Sequence, residues 1–232
     1  MDCRWILLAG VASLAGCQIE APGPMQHESQ SLDRDSSERV RVDLDMGAGN
    51  LRVRSGSGKL LRADFLYNVP SWKPEVRYIS AAGVGRLVVR QPASAHTHFG
   101  NTQYEWNLDL NREVPLEIRV HFGAGDARLD LGDLSLRDVD VQMGVGKLDM
   151  DLRGDPQRSY DVRIHGGVGE ATVRLPSGVG VSADVRGGIG EIHAPGFHRE
   201  GKRYFNDAYP NAKTTIHLDV QGGVGEIRLL LS

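Results

Sequence analysis

Alternating carboxylates in the middle of the chain are the first residues whose types and spacing could do chemistry. Asp138 and Asp140 alternate along one stretch, and Asp149 and Asp151 along the next. Two carboxylates separated by about 5 Å or about 6.5–9.5 Å can hydrolyse a glycosidic bond between them. Their alternation with apolar residues predicts instead that the aspartates face solvent and pair with nearby arginines. We therefore expect no catalytic residue.

Patterns for metal or cofactor binding also fail at specific positions. The segment Gly166–Ala171 follows a calcium-binding GGxGxD pattern, but Ala171 stands where the liganding aspartate belongs. A Ser-Gly-Ser-Gly run precedes Lys59, but Val53 stands where a phosphate-binding loop needs its first glycine. His96 and His98 could share a metal, although two ligands alone make a weak site. The sequence thus predicts no metal and no cofactor.

The charge balance and the cysteines restrict the class of protein. The chain has 27 lysines and arginines against 30 aspartates and glutamates, a net charge of −3. Such a balance gives no reason to expect a nucleic-acid partner, which favours a basic face. Cys3 and Cys17 are the two cysteines, so the remaining residues form no disulfide framework.

The N-terminus has the features of an export signal. The apolar run Trp5–Ala15 is too short to span a membrane, which takes about 20 residues, and fits a signal-peptide core. Leu14-Ala15-Gly16-Cys17 resembles the bacterial lipobox. That resemblance implies cleavage after residue 16, a diacylglycerol on Cys17 and attachment to a membrane, with Gln18 favouring the outer membrane. An ordinary signal peptide and a cytosolic protein with an apolar start are the alternatives.

The segment after the cysteine is polar. Residues 18–39 are rich in Ser, Glu and Asp and contain few large apolar side chains. Such a stretch buries too little apolar surface to offset the entropy of ordering it. We therefore predict a signal peptide at 1–16, a lipidated and flexible tether at 17–37, and one folded domain at 38–232.

A repeated Gly-X-Gly unit dominates that domain, with Ala, Val or Ile between the glycines. It begins at seven glycines: Gly47, Gly83, Gly123, Gly144, Gly167, Gly188 and Gly223. Alternating strand-like segments flank most units, which indicates a bend between two half-buried strands. We expect the central residue to point inward while the glycines turn the corner.

The spacing of the units predicts a β-solenoid. Three consecutive intervals are 21 to 23 residues long, the length of one coil. One group of leucines, Leu129, Leu131, Leu134 and Leu136, would then lie one coil from Leu148, Met150 and Leu152. The longer intervals carry insertions that contain most of the aromatic residues. These aromatics are the candidate binding surface, although capping the ends of the solenoid is the alternative role. The candidates are Trp72, Trp106, Tyr204, Phe205 and Tyr209.

The segments Val114–Leu152 and Pro195–Leu231 resemble the toast-rack domain and the related putative-adhesin domains of bacterial envelope proteins. The resemblance covers roughly residues 38–232. It implies a single-domain, all-β fold that is like a parallel β-helix, and it supplies no catalytic residue.

These observations lead to a non-enzymatic, envelope-anchored lipoprotein that serves as an adhesin-like or scaffold module. Its expected partners are the membrane, through the lipid, and an envelope protein or glycan. A glycan-binding or glycan-active enzyme of the envelope is the alternative, and self-association through strand edges is a third hypothesis.

Overall fold

The alternation of apolar and polar residues gives thirteen β-strands in the computed structural model, which describes residues 22–92 and 102–232. The strands are β1 (Gln26–Leu32), β2 (Arg39–Ser57), β3 (Leu61–Tyr67), β4 (Glu75–Ala81), β5 (Val84–Arg90), β6 (Tyr104–Asn111), β7 (Leu116–Asp130), β8 (Leu136–Asp151), β9 (Tyr160–Leu175), β10 (Gly180–His193), β11 (His198–Glu200), β12 (Arg203–Phe205) and β13 (Thr215–Leu231). Within these two ranges the helical elements are two short 3-10 turns, Pro70–Trp72 and Tyr209–Asn211.

Six long parallel strands form the body of the sheet, in the spatial order β2-β7-β8-β9-β13-β10. Equivalent positions of the repeat lie side by side, so that Leu129 pairs with Met150 and Met150 with Val173. All three side chains are fully buried. Each strand thus shields its apolar residues with those of its neighbours, which confirms the predicted β-solenoid.

Each long strand is divided by its Gly-X-Gly unit into two halves whose buried positions differ in parity. In β7 the buried residues are even-numbered up to Phe122 and odd-numbered from Ala127 onward. The second glycine of the unit, Gly125, has a φ of 125°, which interrupts the pleat. Ile118 and Leu129, from the two halves, belong to one core cluster. We call these units the glycine corners: 47–49, 123–125, 144–146, 167–169, 188–190 and 223–225.

Short strands extend three of the four outer edges of this body; β5 and β6 pair with β2 in parallel, and the remaining short strands pair antiparallel. Beside β2, strands β5 and β4 cover the half before the corner, and β6, β3 and β1 cover the half after it. Beside β10, strands β12 and β11 cover the half before the corner. Among the described residues, no strand pairs with the outer edge of β10 from Gly187 to His193.

The order of the strands departs from the order of the sequence at one place. β13, the last strand of the chain, lies between β9 and β10 and pairs with both. The interval between Gly167 and Gly188 therefore spans two strand spacings, although it is no longer than the two intervals before it. β13 ends in the apolar run Leu229–Leu231, which pairs with β9 alone because the pairing with β10 ends at Arg228.

The prediction of a flexible tether at 17–37 is wrong for its second part. Residues Gln26–Leu32 form β1, which pairs with β3 along all seven residues. The Lys73 ammonium group also forms an ion pair with the Glu28 carboxylate at 3.0 Å. Backbone hydrogen bonds order this segment even though its side chains are mostly polar, so composition alone underestimates its order. The folded unit thus includes β1, ahead of the predicted start at 38.

The unit at Gly83 differs from the other six. It follows Ala82 at the turn between β4 and β5, where Ala82 and Gly83 have φ values of 50° and 74°. Two consecutive residues with positive φ form the tight turn that suits a hairpin. This copy of the repeat is therefore a hairpin turn and contributes no corner to the stack.

Candidate interaction surface at the glycine corners

Two columns of glycine run across the six corners. A Cβ on Gly123 would lie 2.1 Å from the carbonyl oxygen of Gly47, and a Cβ on Gly144 would lie 2.4 Å from that of Gly123. The second column is tighter still, with 1.9 Å between a Cβ on Gly146 and the carbonyl oxygen of Gly125. No side chain fits at such distances, so the backbones of neighbouring corners approach one another as closely as only glycine allows.

The residue between the two glycines points outward, which contradicts the expectation that it points inward. Val145 is 54% exposed, Val168 49%, Val224 46% and Ile189 75%. The parity change at the corner turns this position to the outer side, because the strand bends around the core there. Register pairing aligns these side chains into one strip, which we call the corner ridge: Ala48, Ala124, Val145, Val168, Val224 and Ile189.

The residue that precedes the first glycine of each corner occupies the inner side of the corner, and its type differs between the first three and the last three strands. Met46, Phe122 and Met143 fill it in β2, β7 and β8, whereas glycine takes this position in the last three strands. Those glycines are Gly166, Gly222 and Gly187. Ile227 and Ile192 lean over Gly222 and Gly187, and the remaining cleft encloses about 30 Å³. That volume suits one or two water molecules and no ligand of drug size.

Charged residues on the outer face before the corners are arranged as an alternating series. Asp43, Arg119, Asp140, Arg163 and Asp219 occupy one register position on successive strands. Arg163 bridges Asp138 at 2.7 Å and Asp140 at 3.6 Å. Opposite charges on neighbouring strands stabilise the pairing modestly and oppose a shift of register.

The aspartates considered for glycan hydrolysis are all engaged in ion pairs. Arg174 pairs with Asp149, and Arg153 pairs with Asp151 at 2.5 Å. The hydrogen bond from the Arg153 side chain lowers the pKa of Asp151, against the opposing effect of partial burial. A general acid of a glycosidase needs a raised carboxyl pKa, so this environment suits a structural role.

Most of the aromatic residues predicted as a binding surface lie in the core. Trp106 is fully buried, and Trp72 and Tyr204 are buried at 8% and 6% exposure. Tyr104 joins two of them, because its ring lies 5.3 Å from that of Trp72 and 5.7 Å from that of Trp106. The prediction of a binding surface is therefore wrong for Trp72, Trp106 and Tyr204, which fill the space under the covering strands.

Phe205 and Tyr209 remain partly accessible. Their ring centroids are 6.1 Å apart, and the ring of His198 lies 5.6 Å from that of Phe205. His198 in turn contacts the Asp207 carboxylate at 2.5 Å. Phe205 and Tyr209 therefore lie at the surface, on the β12 side of the sheet, and remain candidates for a binding surface.

Among the described residues, the fold does not assemble a metal site. Within residues 22–92 and 102–232, no three His, Cys, Asp or Glu side chains are grouped as metal ligands. His96, His98 and Cys17 lie outside the described residues. Among the residues that are described, no helix is long and apolar enough to cross a membrane.

Comparison with known proteins places this geometry in a family. Residues 21–174 match the model of the N-terminal domain of toast_rack, DUF2154. The crystal structure of a putative cell adhesion protein from Clostridium sporogenes ATCC 15579 is 33% identical and superposes with a TM-score of 0.86, covering 90% of this chain and 100% of that one.

A second solved structure is too dissimilar to support a conclusion about this chain. The crystal structure of a putative adhesin from Bacteroides fragilis NCTC 9343 is 10% identical with a TM-score of 0.36, covering 89% of this chain and 97% of that one. No curated protein matches the chain. The family match over more than half of the chain and the high similarity to the clostridial structure agree, so this protein belongs to the toast_rack family through its DUF2154 domain.

Proposed function

We propose that this protein is a lipid-anchored, non-enzymatic, adhesin-like module of a bacterial envelope, and that the corner ridge contacts an apolar surface of a partner protein. One observation carries the proposal: a continuous strip of aliphatic side chains faces solvent, with Ile189 at 75% exposure. Contiguous exposed apolar surface on a folded domain is a feature of interaction sites.

The composition of the ridge favours a protein partner over a glycan. Aliphatic side chains offer flat apolar contact without the aromatic faces on which sugar rings stack. Three of the five aromatic residues that could have formed such a platform are buried. The clostridial structure, named as a putative cell adhesion protein, supports an adhesive role for a relative at 33% identity.

The surroundings of the carboxylates support a non-enzymatic role. The aspartates considered for glycan hydrolysis are held in ion pairs with arginines, and Asp151 has a lowered pKa. None of them lines the small cleft under the last three corners. We therefore retain a glycan-active enzyme only as the alternative.

The lipobox supplies the link to the envelope. Acylation of Cys17 would tie the domain to a bilayer, and two or three acyl chains give lasting attachment. Since β1 begins at Gln26 and the Gly23 N–H already donates to the Asn68 carbonyl oxygen at 2.7 Å, the proposed tether is shorter than the predicted 17–37. We place the protein in the outer membrane on the basis of Gln18.

Adhesion of purified protein to envelopes isolated from the source cells tests this function. The chain with Val145, Val168 and Val224 replaced by Thr should lose most of its binding. The matched control, Ile79→Thr, alters an exposed isoleucine on β4 and should bind as the parent does. Protease treatment of the envelopes should abolish binding, whereas unchanged binding by the triple variant would refute the role of the ridge.

Incubation with envelope polysaccharides tests the alternative. No new reducing ends or unsaturated sugar products should form at high protein concentration. Product formation that is lost on Asp149→Asn would establish the enzyme instead. Binding that survives protease but is lost after glycan digestion would identify a glycan as the partner.

A further inference from the structure

Among the described residues, the second half of β10 is the outer edge of the six long strands that no further strand covers. From Gly187 to His193 its backbone groups on this side have no strand beside them. An exposed edge presents a row of unpaired N–H and C=O groups, which is a template for a further strand. The other three ends of the body are extended by short strands, so this end stands out because no described strand extends it.

The composition of this edge does not oppose pairing. Residues 187–193 are three glycines, two isoleucines, one glutamate and one histidine, with no lysine and no proline. Proteins that must keep an edge free commonly place lysine, proline or a bulge there. The edge of β10 lacks the first two devices, and its one irregularity is the corner itself.

Stacking head to tail on a second copy does not fit the opposite end. There the edge strand is β1, whose inward side carries Glu28 and Gln30, and Glu28 is bridged to Lys73 at 3.0 Å. The β10 edge would offer Ile192 at its inward side against these polar groups. Burying a charged carboxylate against isoleucine is unfavourable, so the two ends do not continue one another.

The β10 edge is, in contrast, complementary to itself. In an antiparallel pair centred on Ile192, the two Ile192 side chains face each other on the inner side of the sheet. Glu191 of each copy then lies opposite His193 of the other copy on the outer side. Residues opposite each other in an antiparallel pair share a face, so both contacts form twice around a two-fold axis.

Neighbouring registers are less favourable. A register centred on Glu191 opposes two carboxylates, which is destabilising. A register centred on Gly190 places the pair across the corner, where Gly190 has a φ of 145° and the pleat is interrupted. The register centred on Ile192 opposes no two carboxylates, and its centre lies beyond the corner, within the last residues of β10.

We infer that the β10 edge pairs with a second copy of this chain, forming an antiparallel two-fold dimer with Ile192 at its centre. The dimer joins two curved sheets and leaves most of the corner ridge accessible. Such a short strand pair is a small interface, so it forms at high local concentration, as on a membrane that holds both copies. The β10 edge shares Ile189 with the corner ridge, but the pairing is centred on Ile192 and does not depend on the proposed function.

Disulfide trapping tests the register. In the full chain with Cys3 and Cys17 replaced by Ser, Ile192→Cys should give a covalent dimer under mild copper–phenanthroline oxidation, since opposite Cα atoms lie within reach of a disulfide. Ile189→Cys is the control: it is more exposed, but its partner in this register is Pro195. Equal or faster crosslinking at 189 than at 192 would overturn the inference.

Sedimentation velocity with charge-swapped variants gives an independent test. Glu191→Lys and His193→Glu should each weaken dimerisation about tenfold, and the double variant should restore it by re-forming two opposite-charge pairs. Within one chain His193 contacts Glu191 at 2.9 Å and Glu226 at 3.4 Å, so thermal unfolding must first show that each variant is as stable as the parent. A parent chain that stays monomeric at millimolar concentration, or a double variant no better than the singles, would refute the dimer.

Discussion

Gly146 lies beside Gly125 in the stack, and a Cβ on Gly146 would be 1.9 Å from the Gly125 carbonyl oxygen. Gly146 also has a φ of 135°, a conformation that is costly for any residue with a side chain. The steric contact is with backbone, so no side-chain movement relieves it. The same relationship recurs between neighbouring corners along the sheet.

This contact predicts a large loss of stability for Gly146→Ala. Strain at positive φ and the clash with a neighbouring strand together should lower the free energy of unfolding by more than about 2 kcal/mol. Urea denaturation followed by circular dichroism measures the loss. Gly178→Ala is the control, because a Cβ there meets no atom within 4 Å, and it should change stability by less than about 0.5 kcal/mol.

Two valines on β9 distinguish the corner ridge from the core. Val168 is 49% exposed, whereas Val173 on the same strand is fully buried. Val173→Thr should cost about 1–3 kcal/mol because it buries a hydroxyl, and Val168→Thr should cost little. Equal costs in urea denaturation would show that the residue between the glycines is packed inward after all.

Trp106 is expected to stabilise the fold and to make no contact with a ligand. It is fully buried and packs edge-on against Phe65 at 5.7 Å and Tyr104 at 5.7 Å. Trp106→Ala should lower the free energy of unfolding by about 3–5 kcal/mol. Phe205→Ala, at a partly accessible position, should cost distinctly less, and a similar loss from both would contradict the assignment.

The linker between β1 and β2 contributes a pH-dependent interaction. Hydrogen bonds from Ser37, through its hydroxyl and its backbone N–H, hold the pKa of Asp35 well below its usual range, with help from Tyr78 at 2.8 Å. Because the pKa is lower in the folded state, this stabilisation is present above the unfolded pKa of about 3.9 and is lost at more acidic pH.

Asp35→Asn should therefore reduce the loss of stability on acidification below about pH 4. Urea denaturation at a series of pH values between 2 and 7 measures this slope. Ser37→Ala should reduce it only in part, because the backbone N–H of residue 37 and the Tyr78 hydroxyl still donate to Asp35. The double variant should behave like Asp35→Asn alone, and a further reduction in the double variant would show that the Ser37 hydroxyl acts through a group other than Asp35.

Lipidation at Cys17 predicts that Cys17→Ser releases the protein from membranes. Fractionation of cells that express the full chain, followed by immunoblotting, measures the distribution between soluble and membrane fractions. Cys3→Ser should leave the protein in the membrane fraction, because that cysteine precedes the predicted cleavage site. Retention of the Cys17→Ser variant in membranes would argue against the lipid anchor.

The positions of the strands and of their turns could be predicted from local sequence patterns. Alternation between Leu116 and Phe122 shows a half-buried strand, and the paired glycines at 123 and 125 show where it bends. The similar spacing of the central units also predicted that the leucines around Leu129 lie one coil from those around Met150, and Leu129 pairs with Met150. These properties depend on residues near one another in the chain, so the pattern is visible without the fold.

The choice of strand neighbours was decided only by the tertiary structure. Repeated units offer nearly equivalent partners, so local pattern could not show that β13 lies between β9 and β10. Nor could composition show that Gln26–Leu32 completes the sheet, because its stability comes from backbone pairing with β3.

The tertiary structure also decided the direction in which the corner side chains point. Val168 looks like a core residue in the sequence, and the parity change beside Gly169, with its φ of 144°, turns it to solvent. The sequence by itself determined an all-β stack with glycine corners, because period and glycine placement are local. The surface that the stack presents, and the edge it leaves open, depended on contacts between residues far apart in the chain.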